Sequence, residues 1–160
     1  MEQLDAYVDI MLDSLKRKKD YLDEILTLTE RQSEIAELKE LDDDAFGETV
    51  DRKEILIDNI NEIDKGFTSV YDRIRGNLLD NKDRYLDKLK SMQELIKYCM
   101  DAGLKIEALE ERNRAKLEFV LANRQKNFRQ VKQSRNIVNK YYRGMSSSIM
   151  NDSMLYDRKK

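Results

Sequence analysis

The chain has 160 residues, a formal net charge of −2 and 39% charged residues, with no histidine, no proline and one cysteine. This composition excludes histidine-based metal or acid–base chemistry, zinc sites built from several cysteines, and an intrachain disulfide. It favours one all-α domain, because proline is the strongest helix breaker and its absence permits long uninterrupted helices.

The first predicted helix covers residues 2–38, where apolar side chains recur at steps of three and four and therefore share one helix face. That stripe consists of Leu4, Val8, Met11, Leu15, Leu22 and Ile25. The same step continues to Lys18, Thr29 and Gln32, which are polar. The packing of this helix face against its neighbours, the seam, is therefore expected to be weak at these three positions.

The second predicted helix covers residues 44–79 and follows three consecutive aspartates, which favour an N-cap and the positive end of a helix dipole. Its apolar face comprises Phe46, Val50, Ile57, Ile60, Phe67, Tyr71, Ile74 and Leu78. The third predicted helix covers residues 83–143, because no stop signal is evident before Gly144. At about 60 residues it would be roughly 90 Å long.

These elements predict an elongated, coiled-coil-like antiparallel bundle of about three long helices, with the third helix the longest. Residues 1–143 form its single domain, and residues 144–160 are expected to be a flexible tail. Two shorter helices cannot cover a partner about twice their length. The third helix therefore either bends near Ala122 and Asn123 and folds back as a fourth helix, or projects from the bundle. Because no proline or glycine marks a bend, we expect projection.

The projecting half carries the most distinctive pattern of the chain. Residues 112–143 contain ten basic residues against one acid, Glu118, around an apolar helical stripe. Its predicted partner-binding residues are Leu117, Leu121, Phe128, Val131, Val138, Tyr142 and Met145. Arg124 and Arg135 interrupt this stripe at seam positions, where a polar residue can set helix register. An amphipathic helix without an internal partner is expected to bind a partner helix.

Other interpretations of this basic helix are weaker. Nucleic-acid grooves usually place stacking aromatics among their cations, whereas Phe128 lies on the apolar stripe. Membrane-surface binding is disfavoured because Arg124 and Arg135 interrupt the apolar face. A bundle face that is merely positive and solvated stays open as an alternative.

Catalysis and cofactor binding are not expected. Acidic pairs at helical spacing, such as Glu107 and Glu111, are typical of a solvated helix face, and no glycine-rich phosphate loop occurs. Cys99 lies on the apolar stripe of the third helix, where a buried inert thiol is expected. We therefore predict no catalytic, metal-binding or cofactor-binding residues. The lone cysteine, the acidic N-terminus and the lack of a spanning apolar stretch predict a cytoplasmic protein.

Two stretches resemble a known family. One is DRKEILIDNINEIDKGF, from Asp51 to Phe67, and the other is ALEERNRAKLEFVLANRQ, in which Asn113 and Asn123 are ten residues apart. Together with the N-terminal helix, its acidic loop and Tyr141 or Tyr142 near the end, they resemble the FlgN family of flagellar export chaperones. The closing MLYDRKK is similar to the ends of such proteins from clostridia-like bacteria.

The resemblance implies a helical cytoplasmic chaperone of the flagellar type III secretion system. Its clients would be hook–filament junction proteins of the FlgK and FlgL type, whose C-terminal helices it holds to prevent premature assembly, and the export apparatus would be a second partner. The client-binding part would extend from Leu117 to the tail, and its cationic face is expected to favour acidic clients. The alternative is a structural coiled-coil or adaptor protein that forms a homodimer through the same basic amphipathic helix.

Overall fold

A computed structural model describes residues 2–124 and 135–143 of the chain. Helix α1 covers Glu2–Ala36, α2 covers Asp43–Asp80, a short 3₁₀ helix covers Lys82–Tyr85, and α3 covers Leu86–Ala122. Residues 135–143 are also helical, and we call them the C-terminal segment. No strand occurs within these described residues, and the predicted all-α fold is confirmed.

Helix α2 begins where the aspartate run predicts. The carboxylate of Asp42 accepts a hydrogen bond of 3.0 Å from the backbone N–H of Ala45, which satisfies one of the free donors of the first turn. Asp43 and Asp44 lie in that first turn, where the helix dipole favours negative charge. The observed bounds of α1 and α2 therefore differ from the predicted ones by only one or two residues.

Helix α1 lies between the other two long helices. Near its start, Asp5 accepts a hydrogen bond from the hydroxyl of Tyr85, the residue just before α3. Near its end, Glu37 forms an ion pair of 2.6 Å with Lys116 of α3. The two helices therefore run parallel. Helix α2 runs antiparallel to them, and no α-carbon of α2 lies within 8 Å of an α-carbon of α3 in these two fully described helices. A groove between α2 and α3 is the consequence.

Among the described residues, three apolar clusters follow one another along the bundle. The first joins the start of α1 to the end of α2 and the start of α3, and it includes Val8, Phe67 and Met92. The middle cluster includes Ile25 and Leu56, and the third lies at the end where α1 and α3 finish. Full burial of such side chains contributes about 1.5–3 kcal/mol each. All six residues of the predicted α1 stripe are buried, which confirms that face as the core face.

The expected uninterrupted third helix is wrong. Helix α3 ends at Ala122, and the C-terminal segment packs against the bundle rather than projecting from it. The guanidinium of Arg124 donates to both carboxylate oxygens of Asp43 at 3.0 Å and to the carbonyl of Leu41 at 2.8 Å. These hydrogen bonds of Arg124 fix the chain at the end of α3. Packing of the C-terminal segment buries apolar side chains that a projecting helix would expose to water. The predicted tail, 144–160, lies outside the described residues.

Candidate partner-binding surface

The end of α3 forms an apolar floor with the end of α1. Leu117 and Leu121 are buried in one cluster with Ile35 and Leu41, and Val138 of the C-terminal segment completes it. The first half of the predicted binding stripe is therefore already covered by a helix of the same chain. This intramolecular contact shows that the floor can hold a helix.

The C-terminal segment runs antiparallel to α3 in the groove. Val138 lies beside Leu121, whereas the hydroxyl of Tyr142, four residues later, donates a hydrogen bond to the backbone carbonyl of Glu110. Tyr141 is buried in the middle cluster, between the three long helices. Ile137 points outward and is 38% exposed. The segment therefore presents one narrow face to the bundle.

A buried ion pair lies beneath this segment. Lys53 of α2 is 0% exposed, and its Nζ donates to Glu110 Oε1 of α3 and, at 2.6 Å, to the side-chain carbonyl of Gln32 of α1. The third side of the ammonium faces the ring of Tyr141, whose centroid lies 3.9 Å away. Burial lowers the pKa of Lys53 to about 8, although the neighbouring Glu110 carboxylate opposes this shift.

Further polar side chains connect this pair to α1. Thr29 donates to Glu110 Oε1 at 3.3 Å, and the amide of Asn113 donates to the Thr29 carbonyl at 3.0 Å. Ser33 donates to the Asn113 side-chain oxygen at 2.5 Å. Satisfied buried networks of this kind restrict the register in which helices can pack. The polar interruptions at Thr29 and Gln32 thus lie in the core.

The hydroxyl of Tyr141 is buried and interacts with the side chains of Glu110 and Thr29. Burial raises the pKa of Tyr141 and of Tyr142, since it disfavours the phenolate. The Tyr141 side chain therefore extends the buried polar cluster of Lys53, Glu110 and Thr29.

A cleft separates α3 from the C-terminal segment on the solvent side. It encloses about 360 Å³ and is lined by Arg114, Leu117, Glu118, Leu121, Arg135, Val138 and Asn139. Arg114 is engaged by Glu118 at 3.2 Å. The predicted seam residue Arg135 is exposed at the rim of this cleft, whereas Arg124 is engaged by Asp43.

The predicted stripe is thus divided between several environments. Leu117, Leu121 and Val138 are buried inside the bundle, and Tyr142 is half-buried. Phe128, Val131 and Met145 lie outside the described residues. An exposed patch remains beside the floor, where Phe119 is 71% exposed and Leu38 is 52% exposed.

Sequence reasoning missed Lys53, Glu110 and Tyr141 as parts of this site. The polar residues Thr29 and Gln32 in the α1 stripe indicated that the helix interface contains polar side chains. They did not indicate which residues of the other helices contact them. Such pairs become visible only once α2 and α3 are placed beside α1.

Within residues 2–124 and 135–143, no group of three or more cysteine or acidic side chains is arranged to hold a metal ion. None of the helices in this described part is long and apolar enough to cross a bilayer. Comparisons with protein-family models, with curated proteins and with solved structures gave no match.

Proposed function

We propose that this protein is a helix-binding chaperone, and that it serves as a cytoplasmic flagellar export chaperone of the FlgN type. One observation carries the helix-binding part: the floor formed by Leu117 and Leu121 is already occupied by a helical segment of the same chain. A surface that packs one amphipathic helix has the shape and apolar area to pack another. The resemblance to the FlgN family supports the identity of the client.

The clients in this proposal are the C-terminal helices of FlgK- and FlgL-type junction proteins. The chaperone would cover the apolar faces of these helices and so prevent premature assembly. The floor at Leu117 and Leu121, together with Phe128, Val131 and Met145 of the predicted stripe, would provide that cover. Delivery to the export apparatus would then release the client for assembly.

The test is complex formation with a purified FlgK- or FlgL-type junction protein, measured by size-exclusion chromatography with light scattering. We expect a 1:1 complex with the full chain. The double variant Phe128→Asp/Val131→Asp should weaken binding by about tenfold or more, because a partner helix cannot bury two new carboxylates without cost. The matched control is Leu104→Asp, which changes an exposed apolar residue of α3 and should leave binding intact. Unchanged binding by the double variant would contradict the site.

The second candidate function is a structural adaptor that dimerises through its basic C-terminal region. The exposed Phe119 and Leu38 favour it, because apolar patches on a monomer often mark an interface. It predicts twice the monomer mass in the same experiment without any client, and loss of that dimer in a Phe119→Asp variant. A monomer that binds the junction protein would support the chaperone instead.

A further inference from the structure

The groove beneath the C-terminal segment is built by the three long helices. Lys53, Glu110 and Gln32 belong to α2, α3 and α1, and their hydrogen bonds to one another involve only these three helices. The apolar floor at Leu117 and Leu121 likewise belongs to α3 and packs on α1. The three long helices therefore form a receptor surface whose cover is a separate short helix.

We propose that a basic, aromatic amphipathic helix of a partner binds this groove in place of residues 135–143 and displaces them. The inference rests on the proposed function, because it specifies the client helix that the groove accepts. It also differs from the expectation that a cationic stripe selects acidic clients. Residues 135–143 occupy the groove in the place that the partner helix would take, and these residues are cationic.

The chemistry of the ligand follows from the contacts of this segment. An aliphatic side chain, Val138, packs on the floor, and an aromatic ring three residues later covers the ammonium of Lys53. A donor in the next position, the Tyr142 hydroxyl, reaches the Glu110 carbonyl. Lys140 lies 3.6 Å from the carboxylate of Glu54. The groove thus favours a helix with an aliphatic residue, a cation two positions on, and aromatics at the third and fourth positions.

Charge points the same way. Residues 135–143 contain three basic residues, Arg135, Lys140 and Arg143, and no acid. The groove itself carries charges of both signs: Lys53 and Arg114 lie over the rings of Tyr141 and Tyr142, Glu110 is paired with Lys53, and Glu54 faces Lys140. A cation therefore fits at the position of Lys140, where an acid would place like charges together at Glu54.

The resident segment is suited to be displaced. Its ion pair between Lys140 and Glu54 is exposed and therefore contributes little. When the segment leaves, water returns to Lys53 and Glu110, and hydration of this buried pair offsets part of the lost apolar contact. A partner helix that makes the same contacts can then compete with it.

The probe is a fluorescein-labelled peptide of residues 131–146, VKQSRNIVNKYYRGMS, titrated by fluorescence anisotropy. In the full chain with Val138→Asp, the resident segment is released and the groove is open. We expect saturable binding that is about tenfold or more tighter than to the native chain, where the attached segment competes at high effective concentration. Full-chain Tyr141→Ser provides a second open form if Val138→Asp folds poorly.

Matched peptides test the chemistry. A peptide with Tyr141→Ser should bind about tenfold more weakly, and one with Lys140→Glu should bind several-fold more weakly, most clearly at low salt. Equal affinity for all three peptides, or equal affinity of the native and open chains for the unchanged peptide, would overturn the proposal.

Competition with the junction protein separates the two proposals. We expect its C-terminal helices to displace the labelled peptide. A junction protein that binds the open chain and leaves the peptide in place keeps the proposed function but overturns this inference. If the peptide binds and the junction protein does not, the proposed FlgK- and FlgL-type clients are wrong, whereas the proposed preference of the groove for this kind of helix is kept.

Discussion

Lys53→Met should lower the free energy of unfolding by about 3–5 kcal/mol at neutral pH, measured by urea denaturation followed by circular dichroism. The ammonium of Lys53 is fully buried and paired with Glu110. Its removal leaves the Glu110 carboxylate in an apolar interior without its counter-charge. Because small domains are stable by only about 5–15 kcal/mol, the loss should be evident in every unfolding curve.

The matched variants make this test specific. The double variant Lys53→Met/Glu110→Gln should recover most of the lost stability, since no unpaired charge then remains. Lys65→Met removes a lysine that pairs with Glu62, and both of these side chains are 78% exposed. This substitution should change the free energy of unfolding by less than about 0.5 kcal/mol. An effect of Lys53→Met as small as that of Lys65→Met would contradict the buried pair.

The pH dependence has a defined sign. Since burial lowers the pKa of Lys53 to about 8 from the ordinary 10.5, the native state binds fewer protons than the unfolded state between these values. The contribution of Lys53 to the free energy of unfolding therefore rises with pH from about 8 to 10.5. Lys53→Met should lack this rise, and the difference between the two proteins cancels the titrating groups that do not contact Lys53.

Val138→Asp should release the C-terminal segment and leave the bundle folded. Val138 is 6% exposed and packs on Leu117 and Leu121, so a carboxylate there would be buried without a partner. Trypsin should then cleave after Arg135 and Lys140 about tenfold faster or more, because opening of this segment limits cleavage in the native chain.

Ile137→Asp is the control for this prediction. Ile137 is the preceding residue, is 38% exposed and faces away from the floor. Its substitution adds the same charge to the same segment and should leave trypsin cleavage close to that of the native chain. Equal cleavage of the two variants would show that the segment is not held through Val138.

Much of the bundle follows from local sequence. The stripe from Leu4 to Ile25 predicts the core face of α1, because a three- and four-residue step has only one helical interpretation over that length. The aspartate run predicts the start of α2, since capping depends on neighbouring residues. Both signals are local, and both were sufficient.

The end of α3 could not be predicted in the same way. It depends on Arg124 reaching Asp43 and the Leu41 carbonyl, which are more than 80 residues earlier in the chain. No proline or glycine marks the bend, so helix propensity alone favours continuation. The pairing of Lys53 with Glu110 was equally invisible, because charged residues are rarely buried and their partners depend on how three helices meet.

These contacts change how the basic stripe can act. Part of it, at Leu117 and Leu121, is a floor, and part of it, at Val138 and Tyr142, is the cover of that floor. In the proposed function, a client helix would therefore compete with the chain itself. Its affinity would depend on the free energy of opening as well as on the contacts formed.

Covalent linkage of the C-terminal segment to α2 tests directly whether a partner helix must displace that segment. Glu54 and Lys140 face each other across the groove with 3.6 Å between carboxylate and ammonium, so Glu54→Cys/Lys140→Cys can be joined by a short bismaleimide with a reducible disulfide in its spacer. The native Cys99 is buried, and burial raises the pKa of Cys99 to about 11, so its thiol reacts slowly.

Binding of the FlgK- or FlgL-type C-terminal helices is then measured before linking, after linking, and after reduction of the spacer. We expect binding before linking, a loss of about tenfold or more in the locked chain, and recovery on reduction. Equal binding by the locked and the open chain would contradict the claim that a partner helix occupies the groove beneath residues 135–143.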